Sequence, residues 1–171
     1  MIRLAPIALV LALLSGCGYH ISGRGDTMPK TLHTVAIQSF GNNTLRYKLA
    51  SLLPSDIGRE LISRTKYSLV ADAGQADAVL SGSLVNYSAF ATVVDPNTYA
   101  ATTVQVIVVV NVTLTERATG KVLYTRQGLE IRERYEIASQ LPQYFDESST
   151  AMQRVSRDVA RTVVSGILEG F

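Results

Sequence analysis

The residues able to do chemistry in this chain are few, and their positions restrict what they can do. One thiol, Cys17, stands directly behind Leu14-Ser15-Gly16, after an apolar run from Leu4 to Leu14 that Arg3 precedes. With no second cysteine to pair with, it is placed for covalent modification and not for a disulfide. Of the two histidines, His20 lies just beyond Cys17 and His33 opens an alternating segment. Neither has a nucleophile and an orienting carboxylate at recognisable spacing, so catalytic residues are expected to be none. No His, Cys or carboxylate pair has the spacing of metal ligands, and no cofactor is expected. Gly23-Arg24-Gly25 lacks the strand before and helix after that a phosphate loop requires. What remains is contact chemistry. Arg126, Arg132 and Arg134 recur at even spacing with Tyr124, Gly128 and Glu130, which puts all six on one face of an extended strand. Guanidinium groups suit bidentate contact with phosphates. The competing reading is a solvated face on which Glu130, Glu133 and Glu136 neutralise the arginines.

The stretch before Cys17 has the form of a secretory leader, a short positive start followed by an apolar core too short to cross a bilayer as a helix. Leu-Ser-Gly-Cys resembles the bacterial lipobox. The resemblance implies removal of residues 1–16 and a Cys17 that carries S-diacylglycerol and an N-acyl group such as palmitate. Each buried acyl CH2 contributes roughly 0.8 kcal/mol, and two or three chains hold a soluble domain at a membrane where one is marginal. The competing reading makes Cys17 a buried thiol in an ordinary secretory protein. Gly18, in place of an Asp, points to the outer membrane.

Around these residues the chain must build one domain. Of its 171 residues about 155 follow the leader, enough for a real core. Sixteen Lys and Arg against fourteen Asp and Glu leave no basic footprint of the kind nucleic-acid binding needs. Residues 17–31, with Gly18, Gly23, Gly25 and Pro29, read as an extended lipidated arm, and 32–171 as the folded domain. His33 to Phe40 alternates as a strand, and Gly41 to Thr44 reads as a turn with Asn43 or Thr44 as a helix N-cap. Leu45, Leu49, Leu53, Ile57 and Leu61 then form one stripe of a helix ending near Arg64, with Pro54 inside as a kink or a restart. Tyr67 to Val70 is a possible start of the second strand, and Asp77 to Val94 is its main run, with Gly82 as a candidate bulge. After the turn at Asp95-Pro96-Asn97-Thr98, Thr102 to Thr115 presents Val104, Val106, Val108, Val110, Val112 and Leu114 on one face. Its other face carries Gln105, Ile107, Val109, Asn111 and Thr113. A hairpin at Thr119-Gly120 leads to a strand from Lys121 to Tyr135, with Leu123, Thr125, Leu129 and Ile131 turned to the core. Leu141-Pro142 breaks the pattern. A helix from Asp146 to Leu168 follows, striped by Met152, Val155, Val159, Val163 and Ile167. The fold class is α+β: a two-layer sandwich with two helices packed on one face of a four-stranded, mostly antiparallel sheet, in the order β-α-β-β-β-α.

Several stretches resemble the LptE family of lipopolysaccharide-assembly lipoproteins. They are Cys17-Gly18-Tyr19-His20, Gln38-Ser39-Phe40 with Asn42-Asn43-Thr44, Ala76 to Gly82, and Thr119 to Tyr124. The resemblance implies an outer-membrane lipoprotein on the periplasmic side. It would act as plug and assembly partner, one to one, inside the LptD β-barrel and contact lipopolysaccharide in transit. Basic loop residues linked to lipopolysaccharide in some members have no counterpart at Asp95 to Thr98 or Ile137 to Asp146, so no ligand residue is carried over. The alternatives are a tethered periplasmic binding module of another envelope or secretion system, and an anchored hydrolase.

Overall fold

The alternating valines do what their period demands: they make an interior strand, paired on both sides. The structure, a computed structural model, describes residues 28–29, 31–97, 99, 101–136 and 147–169. Its elements in chain order are β1 (Thr34–Ile37), β2 (Gly41–Asn42), α1 (Tyr47–Arg64), β3 (Ser68–Leu69), β4 (Ala78–Val94), β5 (Ala101–Glu116), β6 (Val122–Glu136) and α2 (Glu147–Glu169). Along β5 every second residue from Val104 to Leu114 is buried. Both helices cover that face. Leu49, Leu53 and Ile57 of α1 and Val155, Val159 and Val163 of α2 are fully excluded from solvent. Each such side chain contributes about 1.5–3 kcal/mol by leaving water.

The sheet is six-stranded and mixed, where four strands are expected from the pattern. Its path is β3-β1-β4-β5-β6, with β2 lying beside β4 as well. β1 is parallel to both β3 and β4, to which the chain returns by crossing over through α1, while β4, β5 and β6 are antiparallel. The two added strands are short. Gly41–Asn42, expected as a turn, carries the β1 edge on beside Ser83 and Leu84. Ser68–Leu69 does not begin the second long strand but forms its own edge beside Thr34 and Val35.

Two local expectations are corrected and one open alternative is narrowed. The N-cap of α1 is Arg46, with no capping side chain, so Leu45 lies outside the helix and is 86% exposed. Asn42 accounts for this: its Oδ1 accepts from the Thr44 amide and hydroxyl and holds the turn open one residue longer. Of the two readings of Pro54 the restart is excluded, since α1 runs through it, and its missing N–H leaves the Ala50 carbonyl without its in-helix donor. Gly82 is not a bulge. The bulge in β4 is at Val85, between Leu84 and Asn86, and Gly82 leaves room for the Phe40 ring. The break expected at Leu141-Pro142 lies outside the described residues.

α1 and α2 run parallel, as Asp56 meets Ser156 and Arg64 meets Ser165. The buried Asp56 carboxylate accepts from the Ser156 hydroxyl and from Arg59 of the next turn.

Candidate contact face of the sheet

A single glycine decides which arginines stand together. At Val110–Val112 of β5 the pairing with β6 shifts, because Leu129 faces Val110 while Arg126 faces Val112. Gln127 and Gly128 together oppose Asn111, and Gly128 takes φ +66°, a conformation that L side chains rarely adopt. The Asn111 amide oxygen accepts from the Gly128 amide and secures the bulge. The alternation of β6 therefore reverses there. Tyr124 and Arg126, paired with Leu114 and Val112, belong to the helix side, as do Leu129 and Ile131 beyond the bulge. Arg132 and Arg134, paired with Ile107 and Gln105, belong to the open side.

The expectation that Arg126, Arg132 and Arg134 share a face is thus overturned for Arg126. Thr125, expected toward the core, pairs with Thr113 on the open side, and their hydroxyls lie 3.2 Å apart. Glu133 is not a neutralising neighbour either: it turns to α2 and pairs with Arg154 at 2.5 Å. Glu130 does neutralise, holding Arg132 Nε at 2.5 Å.

On the open side the register gives three cross-strand rows. Asn86, Val109 and Glu130 form one, Ser88, Ile107 and Arg132 the next, and Phe90, Gln105 and Arg134 the third. Neighbouring strands are about 4.8 Å apart, so Phe90 lies roughly 10 Å from Arg134 across Gln105. Phe90 is 48% and Val93 52% exposed, with Ile107 and Val109 half-buried between them and the arginines. The face is therefore mixed: uncharged on β4 and β5, with Phe90, Val93, Ile107 and Val109 as its apolar part, and charged on β6, where Arg132 and Arg134 stand between Glu130 and Glu136. Phe90 and Val93 escaped the sequence reading, although counting back from the Asp95 turn already sets Phe90 opposite Gln105. No charged residue occurs from Ala78 to Val94 or from Pro96 to Thr115.

The remaining titratable groups serve the fold. Asp77 accepts from the amides of His33 and Thr34 and from the Thr34 hydroxyl, bonds that hold its carboxyl below the usual range. His33 thus contributes its backbone. Among the described residues no group of three His, Cys, Asp or Glu could hold a metal ion, and no helix is long and apolar enough to cross a membrane. Cys17 and His20, with the boundaries at 16 and 31, concern residues outside the described ones or at their margin.

The fold recurs in solved structures. PelC of Paraburkholderia phytofirmans, a dodecamer, is 18% identical, with a TM-score of 0.53 over 77% of this chain and 86% of that one. Protein XCC0632 of Xanthomonas campestris is 12% identical, with a TM-score of 0.54 over 80% and 84%. A Caulobacter crescentus protein assigned as a lipoprotein is 12% identical, with a TM-score of 0.52 over 78% and 87%. At such identities the likeness is one of fold. No curated protein shows significant sequence similarity to the chain. The family model of LptE, lipopolysaccharide-assembly, matches residues 32–167, from the strand before α1 nearly to the end of α2. The chain belongs to the LptE family of lipopolysaccharide-assembly proteins.

Proposed function

We propose that this protein is an outer-membrane lipoprotein that serves as plug and assembly partner of the LptD β-barrel, one copy to one barrel, on the periplasmic side. The observation that carries the proposal is the family match across the whole folded domain. Cys17 is its lipid attachment point, after loss of residues 1–16. The work is done by surfaces and needs no catalytic residue, metal or cofactor. The open face, with Arg132 and Arg134 beside Ile107, Val109 and Phe90, has the two chemistries that lipopolysaccharide or a barrel wall presents. Guanidinium groups meet the phosphates of lipid A, and the apolar strands meet acyl chains or lumen side chains.

Purification from the outer membrane in mild detergent tests the partnership. The expected result is stoichiometric recovery of a large β-barrel identified as LptD. Recovery as a lone polypeptide, or with a different secretion component, overturns it in favour of a tethered module of another envelope system. The double variant R132E/R134E, measured in the purified complex, is expected to weaken lipopolysaccharide binding at least tenfold, since one charge-assisted hydrogen bond contributes about 1.5–3 kcal/mol. Unchanged affinity removes the face from the proposal.

A further inference from the structure

The arginine that the bulge turns away from the open face lines a cleft of its own. Between β6 and the last turns of α2 lies a cavity of about 370 Å³, bordered by Tyr124, Arg126, Arg161, Ser165, Gly166 and Glu169. We propose that this cleft binds a phosphate monoester, held between the Arg126 and Arg161 guanidinium groups with hydroxyl donors at its base.

The local chemistry favours a tetrahedral oxyanion. Two planar guanidinium groups approach from two different elements, a strand and a helix, so several oxygens of one phosphate can be met from different directions. Ser165 Oγ accepts from Arg64 Nη1 at 2.7 Å, so its own proton points away from that guanidinium. The absence of a side chain at Gly166 admits the Tyr124 ring: a Cβ there would lie 2.5 Å from the Tyr124 hydroxyl. Burial pushes the Tyr124 hydroxyl up, against a smaller opposing effect of Arg126, so it stays protonated at neutral pH and can donate. Arg161 is shared with Asp158 at 3.3 Å, an exposed contact one turn away that a phosphate displaces without unfolding anything. Glu169 and the carbonyl end of α2 act in the other direction. Binding therefore depends on both arginines together.

The position of the cleft suggests the source of the phosphate. Met28, the first described residue, packs with Ile167, Leu61 and Leu114 at the same end of the sandwich. The chain leading back to Cys17 leaves from there, and fully extended it reaches about 35–40 Å. Resting on the lipid attachment proposed above, the ligand is a phosphomonoester headgroup, of the kind phosphatidic acid carries, in the leaflet that holds the anchor. Free phosphate offers the same group without the lipid.

The test uses the full acylated chain in neutral detergent, followed by 1H–15N NMR. Titration with sodium phosphate at constant ionic strength is expected to give saturable shifts at the Gly166 amide and Arg126 Nε–H, absent with sodium chloride. R126Q and R161Q should each raise the apparent Kd tenfold or more, while K121Q, the same charge loss on a neighbouring exposed turn, leaves it unchanged. Doping the micelles with phosphatidic acid should reproduce the shifts, and doping with phosphatidylserine should not. Response to free phosphate without response to phosphatidic acid upholds the site, assigns it to the soluble ion and refutes the leaflet placement. No saturable shift from either probe, or an unchanged Kd in both variants, overturns the proposal.

Discussion

Gly82→Ala examines a close approach between β4 and the Phe40 ring, which stands in the connection from β1 to β2. A Cβ at position 82 would stand 2.6 Å from Cε2 and Cζ of Phe40 and 2.8 Å from the Asn111 carbonyl oxygen. The carbonyl cannot retreat, because β5 is paired on both sides. The ring must move instead. Phe40 is 8% exposed, and expelling it forfeits about 1.5–3 kcal/mol, while forcing both to fit costs roughly 1–3 kcal/mol in strain. Removing a strand glycine returns about 0.5–1 kcal/mol. The net is a loss of about 2 kcal/mol, which for a domain of this size lowers Tm by roughly 4–8 °C. Thermal melting followed by far-UV circular dichroism measures it. The double variant F40A/G82A should be little worse than F40A, since neighbours competing for one space are not additive. A G82A protein melting within about 2 °C of the parent, or full additivity in the double variant, refutes the packing argument.

Two further predictions concern buried or bonded carboxylates. Asp56→Ala leaves the buried Ser156 hydroxyl without its acceptor and should cost about 1–3 kcal/mol, seen as a lower urea midpoint at unchanged slope, while Asp56→Asn should cost less. A D56A midpoint equal to the parent's would show the bond to be idle. Asp77 has a folded-state pKa below its unfolded value, so its stabilisation is complete above about pH 4 and fades as pH falls through the folded value. D77N should flatten that acid limb, and parallel midpoint-against-pH lines for parent and variant between pH 2.5 and 6 would contradict the assignment.

Periodicity made the central elements legible. Six alternating apolar residues in β5 and the stripes Leu49-Leu53-Ile57-Leu61 and Val155-Val159-Val163 are buried where a period of 2 or 3.6 puts them. Parity, by contrast, is lost at any inserted residue. The bulge at Gln127-Gly128 reverses the alternation across it, which misassigned Arg126 and Thr125. Gly128 looked like one more small residue on an exposed face, and only its partner Asn111 reveals the extra position. The short strands β2 and β3 have two residues each, too few to carry a period, and exist because β1 and β4 supply a paired edge. Helix α1 tolerates Pro54 because its buried stripe, and not its hydrogen bonds alone, fixes its course.

The borders of the sheet have a consequence for the chain before it meets any partner. One border ends in two residues, and the other, β6, interleaves Glu130, Arg132, Glu133, Arg134 and Glu136 beyond a kinked glycine. Neither offers a long, flat, greasy margin onto which a foreign extended segment could zip. Among the described residues the margins of the sheet therefore give a sister copy little to pair with.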